Sequence, residues 1–138
     1  MPEPLVALSV KQPWAALLVA GVKTIEIRSW ATRRRGRVLI HAGKIPDDRP
    51  EGWARIATPE LQELAALRGG ILGVGELFGC KGYATSGAFA TDAELHLNDP
   101  GWFKPRLCGF AFRNLKILPF HACPGQTLFF KVEDYNIV

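Results

Sequence analysis

The sequence predicts an α+β fold in which a small, curved, mixed β-barrel is flanked by short α-helices. Most apolar residues fall in short runs typical of strands, whereas only two or three stretches have helical spacing. The predicted succession of strands and helices along the chain contains too few strand–helix repeats for a doubly wound sheet. The apolar run at residues 71–81 carries three interior glycines, which are typical of the bends and bulges that curl a sheet.

The first elements are a strand, a short helix and a second strand. Residues 5–9 form a short apolar run that predicts the first strand. Pro13 suits the first turn of a helix, and Gly21 fits the position just after its last turn. Residues 22–30 then alternate between apolar and polar side chains, as a strand with two different faces does.

A basic turn and a second helix follow. Residues 33–36 are predicted to form a hairpin turn that leads into a third strand at residues 37–42. Residues 45–52 are rich in Pro and Asp and are predicted to form a loop. Thr58 supplies a hydroxyl cap for the second helix, Pro59 follows it, and a Gly-Gly pair ends the helix.

The remaining elements are mostly strands. Residues 71–81 form the long glycine-containing strand. Residues 91–94 have the spacing of a capping box, which predicts the start of a short third helix. Residues 107–120 and 126–133 complete the set of strands.

Length and composition indicate one domain over residues 1–138. The chain is 48% apolar and 22% charged, and its 14 Gly and 10 Pro are scattered, which excludes collagen, coiled coils and disordered tails. It has no apolar run near the roughly 18 residues of a membrane helix, so no membrane partner is expected. Residues 1–4 lack the features of a signal peptide, which predicts a cytoplasmic protein. The three cysteines, an odd number without a close pair, are expected to be free: Cys80, Cys108 and Cys123.

The net charge of +4 is unevenly distributed along the chain. Residues 11–44 contain eight bases and one acid, whereas the rest contains nine bases and twelve acids. Segregated positive charge favours a polyanionic partner, and arginine binds phosphate through two parallel hydrogen bonds. The alternative is a solvated arginine loop that only promotes solubility. Four tryptophans favour nucleic acid, because its bases stack on aromatic side chains.

Motifs for the commonest cofactor and catalytic sites are missing. The sequence contains no dinucleotide fingerprint, phosphate-binding P-loop, HExxH metal motif or GxSxG elbow. His41, His96 and His121 are far apart, and His121 with Cys123 is the only close pair of potential ligands. No metal and no cofactor are therefore expected, and no local motif supports a nucleophile–His–acid triad.

Four linked motifs between residues 8 and 44 carry the most information. They are Ser9-x-x-Gln12-Pro13-Trp14-Ala15, Gly21-x-Lys23-Thr24-x-Glu26-x-Arg28-Ser29-Trp30, Arg35-Gly36 and Ile40-His41-Ala42-x-Lys44. Together they resemble the ASCH (activating signal cointegrator homology) domain family, a branch of the PUA-like superfamily. Residues 71–77, 108–110 and 119–129 resemble the family's middle strand and closing pair more loosely. The loops at 45–59 and 85–105 match nothing in it.

The resemblance implies a PUA-like β-barrel with a groove between the first helix and the neighbouring strands. Members of the family are predicted, and some are seen, to bind RNA or DNA. One small branch removes an acetyl group from a modified cytidine nucleoside with a Lys, a Thr and a Glu. Lys23 falls at that lysine position, but Glu26 stands where the threonine would be, which weakens the amidohydrolase interpretation.

The resemblance and the charge pattern together select a set of candidate nucleic-acid-binding residues. They are Gln12, Trp14, Lys23, Glu26, Arg28, Ser29, Trp30, Arg33, Arg34, Arg35, His41 and Lys44.

Each candidate has a chemical role and a structural alternative. Lys23 contacts phosphate or, when desolvated, serves as a base. Glu26 and Arg28 share a strand face, where they either support the fold as an ion pair or read a base edge. The two tryptophans are stacking platforms or core residues, and His41 is a ligand contact or a structural histidine.

The other candidates are chiefly polar or cationic. Gln12 precedes a helix whose free N–H groups attract anions, and Ser29 caps or contacts a ligand. The arginines of the turn and Lys44 supply salt-sensitive attraction to phosphates.

These observations lead to three hypotheses of different classes. The first is an RNA-binding module that grips a single-stranded or looped segment in a basic cleft, with DNA as an alternative partner and a link to translation, transcription or RNA processing. The second is a small hydrolase of a modified nucleoside or nucleotide, with Lys23 and Glu26 as its acid/base pair. The third is a protein-interaction module in translation or transcription control that uses residues 85–103.

Overall fold

The computed structural model describes residues 5–133 and Tyr135. Residues 1–4, on which the prediction of no signal peptide rests, and part of the C-terminus lie outside the described residues. The elements are β1 (Leu5–Val10), α1 (Trp14–Val19), β2 (Ile25–Arg28), β3 (Gly36–Ala42), α2 (Pro50–Trp53), α3 (Pro59–Ala65), β4 (Gly70–Gly82), α4 (Ser86–Thr91), α5 (Ala93–His96), a 3₁₀ turn (Pro100–Trp102), β5 (Cys108–Ala122) and β6 (Phe129–Val132).

The strands form one mixed sheet in the order β2-β5-β4-β3-β1-β6. β1 and β3 are parallel, and the other neighbouring pairs are antiparallel. The register between β4 and β5 shifts at three places, next to Gly73, Gly75 and Gly79. Because irregular pairing increases the local bend and twist, the sheet curls into a half-barrel. The predicted α+β fold with a curved mixed sheet and short helices is confirmed.

The curl brings the two edge strands towards each other. Trp30, just after β2, packs edge-to-face on Phe110 of β5 with ring centroids 4.9 Å apart. It also packs on Phe129 of β6 at 5.6 Å. Arg28 Nη2 donates a hydrogen bond of 2.6 Å to the carbonyl oxygen of Ser9 on β1. Aromatic packing and one charged hydrogen bond therefore join opposite ends of the sheet.

The two faces of the sheet bury different apolar clusters. Leu8 and Ile40 pack in the cluster that contains α1, whereas their neighbours Ala7 and Leu39 belong to a second cluster. This alternation follows from the period of two in a strand. Every residue of α1 is buried, so this helix fills the first cluster rather than lying on its surface.

The side chain of Gln12 links the start of α1 to the end of α3 by hydrogen bonds. Its Nε2 donates to the carbonyl oxygens of Leu64 (2.8 Å) and Leu67 (3.1 Å). Its Oε1 accepts a hydrogen bond of 3.0 Å from the backbone N–H of Ala16. The side chain is fully buried, and these bonds satisfy its amide.

The predicted hairpin at residues 33–36 is wrong. β2 pairs with β5, and β3 pairs with β1 and β4, so the basic segment connects strands that are not neighbours. β2 fits against β5 because Gly109 leaves room there: a Cβ on Gly109 would lie 2.7 Å from Ile25 Cγ2. Trp30 holds the end of β2 in the same place through its contact with Phe110.

Two other local predictions need correction. Thr91 ends α4 instead of capping a helix, and the cap of α4 is Thr85, whose side chain accepts a hydrogen bond of 3.1 Å from Ala88 N. The predicted short helix does begin here, as α5 after Asp92, but the Asp92 carboxylate bonds Lys81 and Tyr83 and makes no cap bond to α5. The predicted loop at 45–52 contains the start of the short helix α2.

Within residues 5–133 and Tyr135, every helix is too short or too polar to cross a membrane.

The close packing of β4 predicts different costs for two glycine substitutions. In Gly73→Ala the new Cβ would lie 2.6 Å from the Lys116 carbonyl oxygen and 2.7 Å from Val19 Cβ on α1. We expect the free energy of unfolding to fall by about 1–3 kcal/mol, because overpacked cores must shift backbone. Urea unfolding measures this loss.

Gly79→Ala on the same strand is the matched control. Its Cβ would lie at an ordinary contact distance of 3.7 Å from Ala111 Cβ. Equal losses in the two variants would contradict the packing described for α1.

Candidate functional site

A cleft of about 910 Å³ opens beside the start of α1. Side chains from β1, β2 and the end of β3 line it, together with the loops at residues 43–49 and 124–128. We refer to this space as the cleft. It brings together parts of the chain that are more than 100 residues apart in sequence.

Lys23 lies at the bottom of the cleft, with a side chain only 1% exposed. Its Nζ donates a hydrogen bond of 2.5 Å to the carbonyl oxygen of His96 and lies 3.5 Å from Glu26 Oε1. The ammonium also lies 5.1 Å from the centroid of the Trp14 ring. Burial lowers the pKa of Lys23, and the Glu26 carboxylate opposes this effect without cancelling it.

Glu26 links two cations. Its Oε2 lies 3.3 Å from Arg28 Nη2, while its other oxygen faces Lys23. The prediction that Glu26 and Arg28 form an ion pair on one strand face is confirmed. In the described part of the chain, Arg28 Nε is the one buried side-chain polar atom without a hydrogen-bond partner. The arrangement holds a buried carboxylate between two positive charges.

Trp14 is a core residue at the edge of the cleft. It is 7% exposed, and its indole Nε1 donates a hydrogen bond of 2.8 Å to Asp47 Oδ2. Burial raises the pKa of Asp47, but hydrogen bonds from Trp14 and the Arg49 backbone and the charges of Arg49 and Lys11 lower it overall. Trp30, by contrast, is half-buried and keeps part of its ring at the cleft.

Ser9 and His41 form a hydrogen-bonded pair in the cleft wall. Ser9 Oγ lies 3.1 Å from His41 Nδ1, and His41 Nε2 lies 2.8 Å from the carbonyl oxygen of Cys123. A carbonyl oxygen only accepts, so Nε2 carries the proton and neutral Nδ1 accepts from the serine hydroxyl. Burial lowers the pKa of His41, although the bond to Cys123 raises it in part.

The structure brings together some of the predicted site residues and leaves others outside. The residues that line the cleft are Trp14, Lys23, Glu26, Arg28, Trp30, His41 and Lys44. Gln12 is buried in hydrogen bonds that hold the fold, and its Oε1 accepts from the backbone N–H of Ala16 on α1. Ser29 and the arginines at 33–35 are exposed outside the cleft lining, where Arg34 lies 5.2 Å from the centroid of the Phe129 ring.

Several residues that line the cleft were not predicted from the sequence. They are Ser9, Lys11, Ile27, Gly43, Ile45, Asp47, Arg49, Asn98 and the loop at 124–128. Ser9 stands in the first motif, so that motif was an available signal. Arg49 carried no signal, because it reaches the cleft only through its loop, where its guanidinium lies 4.2 Å from the centroid of the Trp102 ring. Among the described residues, no three His, Cys, Asp or Glu side chains are grouped closely enough to hold a metal ion.

Comparison with known proteins defines the family. A family model described as an ASCH domain matches residues 8–114, which carry most of the cleft. The chain belongs to the ASCH domain family. This ASCH domain is similar to Activating signal cointegrator 1 of Homo sapiens, with 63% identity over 35 residues, and of Mus musculus, with 60% identity over 40 residues.

Those alignments cover 25% and 28% of this chain and only 6% and 7% of the two relatives. The chain therefore matches a small part of each relative's length.

Solved structures of ASCH proteins share the fold. The ASCH protein of Zymomonas mobilis superposes with a TM-score of 0.64 at 13% identity, over 95% of this chain and 89% of that one. A single-residue variant of the same protein gives a TM-score of 0.63 at 12% identity, over 96% and 92% of the two chains. At such low identity the match concerns the fold alone.

The buried charges predict a pH-dependent effect of Glu26→Gln. The substitution removes the carboxylate that raises the pKa of Lys23, so this pKa falls further below its ordinary value of 10.5. The unfolded chain then binds more protons than the folded one between these two values. We expect the free energy of unfolding to drop by about 3–5 kcal/mol at pH 7, the cost of leaving a buried charge without its partner.

The deficit should shrink as the pH rises towards 10, because the folded-state pKa of Lys23 lies below 10.5 and the charge that Glu26 pairs with is then lost from both the folded wild type and the folded variant. Urea unfolding at about pH 7 and 9.5 measures it. Glu63→Gln, at an exposed position of α3, is the control. A Glu26→Gln deficit that does not change with pH would show that Lys23 is not the group left unpaired.

Proposed function

We propose that this ASCH domain binds RNA and holds a single-stranded or looped segment in the cleft. The observation that carries the proposal is the charge of the lining, which contains five basic side chains and two acidic ones. The bases are Lys11, Lys23, Arg28, Lys44 and Arg49, and the acids are Glu26 and Asp47. A basic cleft concentrates a polyanion such as a nucleic-acid backbone.

The cations lie at two depths. Lys11, Lys44 and Arg49 are exposed at the rim, within reach of phosphate oxygens, although Arg49 also lies 4.0 Å from Asp47 Oδ1. Lys23 and Arg28 lie deeper and are already engaged with Glu26. The rim therefore supplies the attraction for the backbone, and the deeper residues give the cleft a fixed shape.

Apolar surface at the mouth of the cleft suits nucleobases. Ile45 is 74% exposed and Leu128 is 56% exposed, and both line the cleft. Trp30 adds part of an aromatic ring. Single-stranded RNA presents unstacked bases that bury their faces against such side chains while the phosphates stay with the cations. A space of about 910 Å³ has the scale of a small-ligand pocket, which suits a few splayed nucleotides rather than a duplex.

The arginine segment at residues 33–35 extends the positive surface beyond the cleft. All three side chains are exposed, and Arg34 rests on Phe129 at the start of β6. An RNA segment that leaves the cleft on this side would make additional phosphate contacts with these arginines. Their contribution is independent of sequence and falls with salt.

A second candidate function is hydrolysis of a modified nucleoside in the same cleft. Lys23 favours it, because a buried lysine with a lowered pKa beside a carboxylate is suited to proton transfer. Incubation with an acetylated cytidine nucleoside and chromatography would detect cytidine release that Lys23→Met abolishes. Absence of product with the folded wild-type chain would remove this candidate.

The rim lysines provide the test of RNA binding. We expect Lys11→Ala/Lys44→Ala to weaken binding of a labelled single-stranded RNA in fluorescence-anisotropy titrations. Loss of two phosphate contacts should reduce the slope of log Kd against log salt by about 1.4, at roughly 0.7 per contact for single strands. Matched titrations with single-stranded DNA compare the alternative partner.

Lys104→Ala/Lys116→Ala removes two exposed lysines that lie outside the cleft lining and serves as the matched control. Equal weakening in both double variants would show that the charge acts without the cleft. No binding of any RNA at low salt would refute the proposal, and tighter binding of DNA would correct the partner.

A further inference from the structure

The backbone places Ser9 and His41 directly opposite each other. They are partners in the parallel register of β1 and β3, so their side chains leave the same face of the sheet. Their polar atoms lie 3.1 Å apart, the distance of a nucleophile from its base. Both residues line the cleft, and Ser9 is half-buried.

The orientation of His41 suits a base. The Cys123 carbonyl oxygen holds the proton on Nε2, which leaves the lone pair of Nδ1 facing the serine hydroxyl. This carbonyl takes the place that a carboxylate has in the Ser-His-Asp arrangement, where the third group orients the imidazole. Because the pKa of His41 is lowered by burial, the ring is neutral and able to accept a proton at neutral pH.

The loop at 124–128 is built to lie over this pair. A Cβ on Gly125 would come within 2.6 Å of His41 Cε1, 3.0 Å of His41 Nδ1 and 3.2 Å of Ser9 Oγ. A glycine is therefore required at this position, because any larger residue would collide with the His41 ring. The same loop supplies Leu128 to the cleft mouth.

A positive charge lies against the main chain of Ser9. Arg28 Nη2 donates to the Ser9 carbonyl oxygen at 2.6 Å, and the Nε of the same guanidinium is buried without a partner. This bond fixes the backbone of Ser9 relative to β2 and so helps to hold its side chain opposite His41.

We propose that Ser9 is a nucleophile, that His41 is its general base, and that this pair hydrolyses carboxylic esters of phosphate-bearing alcohols such as O-acylated nucleotides. The rim cations would bind the phosphate of the substrate, so this part of the proposal rests on the proposed function. The nucleophile and its base do not depend on it.

The reaction requires only water as a second reactant. Ser9 Oγ forms a bond to the acyl carbon while its proton moves to His41 Nδ1. The bond between the acyl carbon and the alcohol oxygen then breaks, and that oxygen takes the proton from Nδ1. Water attacks the acyl-serine, passes a proton to Nδ1, and displaces Ser9 Oγ, which recovers the proton as the carboxylic acid leaves.

Covalent labelling of the full chain with a fluorophosphonate probe tests the nucleophile. The serine oxygen displaces fluoride from phosphorus, and peptide mass spectrometry locates the adduct. We expect an adduct on Ser9, loss of labelling in Ser9→Ala and unchanged labelling in Ser86→Ala, an exposed serine on α4. We expect His41→Gln to slow labelling at least about 100-fold, the lower range for general-base catalysis. No adduct on Ser9 in the folded wild type, or an equal rate in folded His41→Gln, would overturn the proposal.

The pH profile of the wild type decides the matter if His41→Gln does not fold. Labelling that rises to a plateau through an apparent pKa below the ordinary histidine value of 6.5 supports His41 as the base. A rate that continues to climb tenfold per pH unit up to about pH 9 would show attack by a serine without a base, and would overturn it.

The substrate class is tested with O-acetyladenosine and its 5′-monophosphate. We expect kcat/KM to be at least about tenfold higher for the monophosphate, a difference of about 1.4 kcal/mol. Turnover of both esters at equal rates would overturn the phosphate requirement and leave the nucleophile in place. Because labelling needs no RNA, its failure and a failure of RNA binding are distinguishable.

Discussion

The burial of α1 in the curled sheet is the constraint on which the rest of the structure depends. A helix of six residues is unstable in water, so α1 exists only because all its side chains are buried. Gln12 anchors one end of this helix to α3. After the other end the chain passes through three exposed residues, 20–22, and then turns back, where the Lys23 N–H donates a hydrogen bond of 3.0 Å to the carbonyl oxygen of Leu17 on α1 and the Lys23 side chain is almost completely buried. A charged residue at that point requires partners, and Glu26 and the His96 carbonyl oxygen provide them.

These partners connect the core to the shape of the cleft. Glu26 holds Lys23 on one side and Arg28 on the other, and Arg28 continues to the carbonyl oxygen of Ser9. The chain of contacts therefore runs from Lys23, between α1 and β2, through edge strand β2 to β1 near the opposite edge of the sheet. Since β1 and β2 form opposite walls of the cleft, the width of the cleft follows from a buried ion network as well as from sheet curvature. Substitution of any side chain in this network would change the position of Ser9.

Local patterns in the sequence predicted the elements better than their pairing. The strands Leu5–Val10 and Gly36–Ala42 and the helix capped by Thr58 follow from periodicity and capping, which are properties of neighbouring residues. The pairing of β2 with β5 depends on contacts such as Ile25 against Gly109, more than 80 residues apart, and so the hairpin was predicted wrongly. The pairing of Ser9 with His41 was invisible for the same reason, because a parallel register has no local signature. Gln12 looked like a ligand residue since its carbonyl partners on α3 cannot be read from the chain.

Side chains at the rim of the cleft and side chains deep inside it have different roles: the first would attract a ligand, and the second hold the fold. In the proposed complex with RNA, the exposed rim lysines would exchange water and counterions for phosphate, which gives an affinity that depends on salt. Lys23 has already lost its water to the carboxylate and carbonyl that surround it, and a ligand has little left to replace. Its charge acts on the ligand at a distance, while its bonds keep β2 in place. A single cleft can therefore hold a polyanion at its mouth and keep a rigid Ser9–His41 pair in its wall, because different side chains carry the two tasks.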